Sequence, residues 1–227
     1  MRIALTRLRA AISFFLPVLA DAERVHLKRE LKWLNAQLGA TRDMDVAIEL
    51  LKQTNSNDAG WLAKRTESHR RLTQALRSHR YRRLIIDVSD WIDNGPWTRS
   101  GGRTATKRRE IGITLYGTRR LARWRKKLLK RSRRLQDMNA EKQHRIRLAS
   151  KRLRYAVEFF TGLLTHRNSS MHATLKCLRQ AQTSLGELND AHHVQPSPVL
   201  DSKRRNHLMH VASHAYRNLA AVKPLRM

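Results

Sequence analysis

The chain has 227 residues, of which 47 are Lys or Arg and 18 are Asp or Glu, so its formal net charge is +29 at pH 7. With 41% hydrophobic residues it has enough apolar side chains for a core, which excludes a disordered basic tail. The single cysteine, Cys177, excludes an internal disulfide and a cysteine-based zinc site, and it favours a reducing, cytoplasmic compartment. Because so large an excess of positive charge repels itself, we expect an anionic partner.

The N-terminal segment is the first copy of an internal repeat. Residues 1–15 (MRIALTRLRAAISFF) align without gaps on residues 146–160 (IRLASKRLRYAVEFF), and eight of the fifteen positions are identical. A second pair of segments, 38–43 and 185–190, follows at nearly the same offset. We therefore predict two halves built on one plan. Residues 1–23 also resemble a secretory signal, but the repeat indicates that this segment is a helix of the folded domain and not a cleaved signal peptide.

Both copies of the repeat carry the apolar period of a helix. Apolar residues recur at three- and four-residue steps, which is the spacing of one helical face. They are Met1, Ala4, Leu8, Ile12 and Phe15 in the first copy, and Ile146, Ala149, Leu153, Val157 and Phe160 in the second. Pro17 is expected to end or kink the first helix.

The rest of the chain is also predicted to be helical, with no convincing strand pattern and no apolar run long enough to cross a membrane. Helical periods cover residues 27–51, 61–93, 107–142 and 203–221, and the stretch 107–142 is one helix or a pair of helices. Polar or Gly/Pro-rich breaks fall at residues 55–60, 93–96, 100–102 and 195–198, and 100–102 is the best linker between the halves. Within the third helical stretch, Arg119–Arg134 holds ten Lys or Arg and no acid. We predict an all-α fold of two pseudo-symmetric helical bundles.

One face of each repeat helix is basic. On a helical wheel of about 100° per residue, the second copy forms a stripe of His144, Arg147, Lys151 and Arg154, and the first copy forms a stripe of Arg2, Thr6 and Arg9. Like charges on one face repel, so such a stripe is tolerated where it serves an anion. Arginine offers a planar fork of donors that matches phosphate oxygens, and lysine adds a mobile charge. We interpret the two stripes as the lining of a groove for a chain of phosphates; the alternative is an ordinary solvated helix face.

Two further arginines are predicted to be structural. Arg7 and Arg152 lie about 140° round the helix from Arg2 and Arg147, and the acids Asp43 and Asp190 occupy matching places in the second repeated segment. We therefore predict the ion pairs Arg7–Asp43 and Arg152–Asp190, each joining two helices of one half.

The remaining polar motifs are weak evidence for a metal or a catalytic site. His207, His210 and His214 recur at helical steps but lack the glutamate of a metallohydrolase helix. No nucleophile–base pair and no glycine-rich phosphate loop is present. We therefore predict no metal, no cofactor and no enzymatic activity. His144, at the head of the basic stripe, is either a pH-sensitive phosphate ligand or a helix cap.

These motifs together resemble the CHAD family, the histidine-containing α-helical domain. His144–Tyr155 and Leu185–Asp190 resemble its second half, Met1–Arg9 and Leu38–Asp45 resemble its first half, and Ser78–Trp97 resembles its middle region. The resemblance covers nearly the whole chain. It predicts a single domain over residues 1–222, made of two repeats (about 1–95 and 107–222) joined by a linker near 94–106.

The resemblance implies antiparallel helical bundles around a basic groove that binds inorganic polyphosphate, in a cytoplasmic protein that associates with polyphosphate granules. Carried over position by position, the implied ligands are Arg2, Arg9, His144, Arg147, Lys151 and Arg154. The competing hypothesis is a nucleic-acid-binding protein, because a charge of +29 binds DNA or RNA nonspecifically at low salt.

The first half departs from the family pattern. Its histidine would lie two residues before Met1, and Thr6 stands where a basic residue is usual. The helix that precedes this motif in the family is also missing, which leaves open whether the chain is truncated or mis-started. Two consequences stay open as well: reduced affinity, or a homodimer that completes the groove.

Overall fold

A computed structural model describes residues 1–19, 21–53, 59–99, 103–163, 169–193 and 200–225. The α-helices are α1 (Arg2–Phe15), α2 (Glu23–Gln53), α3 (Ala59–Arg77), α4 (His79–Asn94), α5 (Arg103–Glu110), α6 (Ile113–Ser132), α7 (Ala140–Phe159), α8 (Ser169–His193) and α9 (Ser202–Ala221). Short 3-10 helices span Pro96–Thr98 and Thr161–Leu163. These ranges contain no strand, which confirms the all-α prediction. The predicted breaks at 100–102, 195–198 and most of 55–60 lie outside the described residues.

Two of the predicted helical stretches are each divided into more than one helix. The stretch 61–93 is divided at Ser78, whose hydroxyl accepts a hydrogen bond from the Tyr81 amide at 3.2 Å and so caps the start of α4. The stretch 107–142, predicted as one helix or a pair, is divided twice. Helix α5 ends at Glu110 before Gly112, the N-cap residue of α6, and Asn139 Oδ1 accepts from the Lys142 amide at 3.0 Å and caps the start of α7. A serine or asparagine side chain can accept a hydrogen bond from a nearby backbone amide, and this bond favours the start of a new helix over a continuous one.

The chain forms two compact units, unit 1 (Met1–Glu110) and unit 2 (Ile111–Met227). In unit 1, one apolar cluster joins α1, α2 and α4 through Leu5, Leu31, Leu34, Leu38 and Leu84. A second cluster contains Leu19, Leu27 and Trp91. The indole nitrogen of Trp91 donates to Asp21 Oδ2 at 3.0 Å, which gives the polar edge of this buried ring a partner.

Two carboxylates of α2 bind the neighbouring helices of unit 1. The buried Glu30 accepts from Arg80 Nε at 2.6 Å, and this hydrogen bond lowers the pKa of the Glu30 carboxyl. Asp45 Oδ1 accepts from His69 Nε2 at 3.0 Å and from Arg65 Nε at 2.7 Å, and these contacts, His69 first, lower the pKa of Asp45. Because both folded-state pKa values are depressed, this stabilisation is present at neutral pH and is lost as the pH falls through them.

Four of the five residues on the apolar face predicted for the second repeat copy are buried. Ile146, Leu153, Val157 and Phe160 are buried on or at the end of α7, which packs against both α6 and α8, and Ala149 is half-buried. The equivalent prediction for α1 is wrong at its first two positions, since Met1 is 59% exposed and Ala4 is also exposed.

The residues buried on α1 are instead Leu5, Ala10 and Phe14, while Leu8, Ile12 and Phe15 are half-buried. Helix α1 packs mainly against α2, so its buried strip is narrower than that of α7. The width of an apolar face therefore depends on how many helices surround it.

Unit 2 contains α6 to α9, in which α8 packs against both α7 and α9, and α6 packs against α7 and α9. The Arg125 side chain of α6 donates through Nη2 to the Leu219 carbonyl at 2.6 Å and also to the Val222 carbonyl, at the end of α9. These bonds satisfy carbonyls that have no partner within the helix. Nearby on α6, the Arg120 guanidinium lies 5.6 Å from the centre of the Trp124 ring.

One buried hydrogen bond fastens α7 to α9. The hydroxyls of Ser150 and Tyr216 are 2.6 Å apart, and both residues are buried. Burial raises the pKa of Tyr216 to about 12, although the hydrogen bond to Ser150 acts in the opposite direction.

Replacing Tyr216 with phenylalanine is expected to cost roughly 1–3 kcal/mol of unfolding free energy, because the buried Ser150 hydroxyl loses its partner. The folded-state pKa of Tyr216 lies above its ordinary value of 10.0. The wild-type chain should therefore lose stability as the pH rises from 10 towards 12, at up to about 1.4 kcal/mol per pH unit. The variant lacks this contribution, so urea denaturation at a series of pH values should show the two stabilities converging. A gap that stays constant up to pH 12 would contradict the assignment.

Candidate functional site

The four predicted ligands of the second half lie on one face of α7 and are all half-buried. His144 Nδ1 lies 2.5 Å from Asn189 Oδ1 on α8, and Arg154 Nε donates to Gln182 Oε1 on α8 at 3.0 Å. The sequence numbers of these partners run in opposite directions, so α7 and α8 are antiparallel here. The predicted stripe of His144, Arg147, Lys151 and Arg154 therefore follows the seam between α7 and α8.

The face of α8 that meets this stripe is polar and includes one glycine. Gln182, Gly186 and Asn189 are spaced four and three residues apart, so they share one helical face. A Cβ added at Gly186 would lie 3.6 Å from both Nε and Nη2 of Arg147. The glycine thus lets the Arg147 guanidinium lie against the α8 backbone, and a larger side chain would compete for that space.

Replacing Gly186 with alanine is expected to raise the unfolding free energy by roughly 0.5–1 kcal/mol, because alanine is the better helix former. The added Cβ makes only ordinary van der Waals contact with Arg147. Replacing Gly186 with leucine should instead displace the Arg147 guanidinium. Thermal denaturation and anion titration of both variants test this. The idea fails if the leucine variant binds anions as tightly as the alanine variant.

Arg154 is held by a small cluster at the end of α7. Its Nη1 donates to Glu158 Oε1 at 2.7 Å, and its guanidinium lies 4.5 Å from the centre of the Tyr155 ring. The Arg154 side chain is only 19% exposed. Arg179 of α8 approaches the same Glu158 oxygen at 3.8 Å, with its own side chain 61% exposed. The cluster holds the Arg154 side chain in place, and Arg179 adds a second, more exposed charge.

Sequence analysis did not identify Arg179, Gln182 and Asn189 as residues of this site. Arg179 lies three residues before Gln182 and therefore continues the same face of α8. Glu158 was also missed, although its spacing of four residues from Arg154 is an ordinary helical ion-pair spacing.

The predicted ligands of the first half, Arg2 and Arg9, lie on α1 in unit 1. Arg2 is half-buried and Arg9 is exposed. Between them, the Thr6 hydroxyl donates to the Arg2 carbonyl at 2.8 Å, so it is used within the helix itself. The stripe of α1 therefore carries less charge than that of α7.

The predicted structural ion pairs stay predictions. Asp43 has an ion pair with the adjacent Arg42 at 3.4 Å. Arg152 Nε donates to the Leu148 carbonyl at 3.4 Å. Desolvation lowers the pKa of the Arg152 guanidinium, and the nearby positive charge of Arg131 lowers it further. Unit 2 is thus a region where positive charges crowd one another.

Two cavities of about 430 and 470 Å³ open on unit 2, lined mainly by residues of α6, of α9 and of the segments that follow these two helices. None of His144, Arg147, Lys151 and Arg154 lines either of them.

The described residues contain no group of three His, Cys, Asp or Glu side chains that could hold a metal ion. Of the histidines on α9, His210 and His214 stack with ring centres 6.4 Å apart, and both are exposed. In the same described ranges, no helix combines the length and the apolar character that crossing a membrane requires.

Comparison with known proteins places this geometry in a family. The family model of the CHAD domain matches residues 1–195. The crystal structure of the CHAD domain from the plant Ricinus communis is 30% identical, with a TM-score of 0.69, and the match covers 99% of this chain and 81% of that one. A search of curated proteins found no match. With the family model over most of its length and a related structure over nearly all of it, the chain belongs to the CHAD domain family.

Proposed function

We propose that the chain binds inorganic polyphosphate and that the stripe of α7 supplies the main contacts. The observation that carries this proposal is the row of His144, Arg147, Lys151 and Arg154 along the seam with α8. A linear polyphosphate repeats one anionic group along its length, so a row of cationic groups at helical spacing can bind successive phosphates. Arginine and lysine favour such contacts because charge-assisted hydrogen bonds to phosphate are strong.

The half-buried position of the stripe supports binding as its role. Cations that only solubilise a protein are usually extended into water, where ion pairing contributes little. Arg147 and Arg154 are instead held against α8, at Gly186 and Gln182 respectively. Side chains that are already ordered lose less conformational entropy when a ligand binds.

His144 has a specific place in this proposal. Because Asn189 Oδ1 can only accept a hydrogen bond, it places the proton of a neutral imidazole on Nδ1. Nε2 then offers a proton to phosphate only when the ring is positively charged.

Arg2 and Arg9 are proposed as weaker ligands from the first half, with Arg7–Asp43 and Arg152–Asp190 as structural pairs. The groove formed by both halves, and the linker near 94–106 that joins the two repeats of a single domain, belong to the same proposal. The domain acts by binding and not by catalysis, and granule association in the cytoplasm follows if polyphosphate is the ligand. The nearest alternative is nonspecific nucleic-acid binding through the total charge of the chain.

A competition titration separates these two functions. Labelled long-chain polyphosphate bound to the full chain would be displaced by duplex DNA, RNA or tripolyphosphate at about 150 mM salt, where weak phosphate contacts are largely screened. We expect nucleic acid to displace polyphosphate only at a large molar excess of phosphate groups. Displacement by DNA at equal phosphate concentration would show that the charge is a general polyanion surface, and the proposal would fail.

A further inference from the structure

Helix α6 has one buried face and, opposite it, a strongly cationic exposed face. Gly117, Leu121, Leu128 and Ser132 are buried on one side. The opposite side carries six exposed cations and no acid: Arg119, Arg123, Lys126, Lys127, Lys130 and Arg131. On a helical wheel these six cover a sector of about 140°, and they extend along about 18 Å of the helix axis. The function proposed for α7 does not use any of them.

On other helices of the same chain, exposed basic residues form ion pairs with carboxylates of the same helix. On α3, Glu67 accepts from Arg70 at 2.7 Å and from Arg71 at 2.6 Å. On α4, Arg83 donates to Asp87 at 2.8 Å. By contrast, in the part of the chain that the structure describes, no ion pair forms at any of the six exposed cations of α6. Their mutual repulsion is thus uncompensated by neighbouring carboxylates.

We propose that this outward face of α6 is a sequence-independent docking surface for duplex DNA. A helix is about 10–12 Å in diameter with its side chains, which matches the major groove of B-form DNA at about 12 Å. Cations spread over a wide sector can reach the phosphates on both walls of such a groove, whereas a single anionic chain would contact only a narrow stripe. The face carries no Asn or Gln, the residues that pair with adenine edges, which favours phosphate contacts over base recognition.

The shape of the face also distinguishes DNA from duplex RNA. The major groove of A-form RNA is deep and narrow, and side chains on a whole helix cannot enter it. Binding at α6 should therefore prefer duplex DNA to duplex RNA of the same length and sequence.

The test is a binding titration of a labelled 20-base-pair DNA with the full chain. The key variant replaces Arg123, Lys126, Lys127 and Lys130 with glutamine, which keeps the helix and removes four charges. A matched control, called the α9 control, replaces four exposed cations on α9 or just after it, namely Lys203, Arg205, Arg217 and Lys223, with glutamine. Circular dichroism and melting curves establish that both variants are folded.

We expect the α6 variant to bind DNA at least about 50-fold more weakly near 100 mM salt, and its log K against log salt slope to fall by about 3 to 4. The α9 control should lose less than about fivefold, since it changes only long-range charge. A variant of the α7 stripe should keep its DNA binding, so loss of polyphosphate binding there leaves this inference standing.

Three results would overturn the inference. Equal losses in the α6 variant and the α9 control would show that DNA responds to net charge alone. Tighter binding of duplex RNA would exclude the major-groove arrangement. If the α6 variant lost polyphosphate binding as completely as DNA binding, α6 would be part of the polyphosphate site and not a separate surface.

Discussion

Replacing Arg147, Lys151 and Arg154 together with alanine is expected to weaken polyphosphate binding by at least about 100-fold at about 150 mM salt. A hydrogen bond to a charged group contributes about 1.5–3 kcal/mol, and each 1.4 kcal/mol is a factor of about ten in affinity. The loss of three such contacts should weaken binding by more than 100-fold, even though salt screens these charges and neighbouring cations still attract the ligand. Fluorescence anisotropy with end-labelled polyphosphate measures the change directly.

The control for this variant removes the same charge from another place. Lys203, Arg205 and Arg217 are exposed on α9 and belong neither to the seam nor to α6. Their triple alanine variant should bind polyphosphate within about fivefold of the wild-type chain, because exposed distant charges are screened. If both triple variants lose affinity equally, the α7–α8 seam has no special role and the site assignment is wrong.

Replacing Phe160 with alanine should lower the unfolding free energy of unit 2 by about 3–5 kcal/mol. Phe160 is the C-cap residue of α7, and only 2% of it is exposed. Truncation to alanine removes the buried apolar surface of the ring and leaves a cavity that the surrounding helices fill only in part. Urea denaturation, followed by circular dichroism, gives the change in free energy.

The adjacent Phe159 provides a matched control. It is half-buried, so its replacement with alanine should cost clearly less than that of Phe160. Hydrogen exchange adds a spatial test, because the loss of protection should be concentrated in α6 to α9 if unit 2 is a compact folding unit. Equal costs at the two phenylalanines would mean that the burial described for α7 is incorrect.

The helices could be predicted from the sequence because their signal is local. A spacing of three and four residues follows from the geometry of one helix, and it predicted α7 and its apolar face correctly. The repeat alignment pairs Phe14 with Phe159 and Phe15 with Phe160, yet the buried members are Phe14 and Phe160. Which of two adjacent rings is buried depends on the surrounding helices, and no pattern within the segment determines that.

The candidate site, like the core, could be predicted from the sequence only in part. That His144, Arg147, Lys151 and Arg154 share a face is a property of one helix, so sequence analysis grouped them. Their partners on α8 are 28 residues away for Arg154 and 45 for His144, and pairings at that distance depend on tertiary packing. The contact between Gly186 and Arg147 also depends on tertiary packing, because it forms only where α7 and α8 lie side by side.

The placement of Trp124 beside Arg120 has an optical consequence. Trp124 lies in unit 2, whereas the other four tryptophans of the chain, Trp33, Trp61, Trp91 and Trp97, all lie in unit 1. Indole emission responds to charge and solvent close to the ring, and the Arg120 guanidinium supplies such a charge at 5.6 Å. A chain that keeps Trp124 and carries phenylalanine at the other four positions would therefore emit from α6 alone. Its emission would report events on that helix separately from events in unit 1.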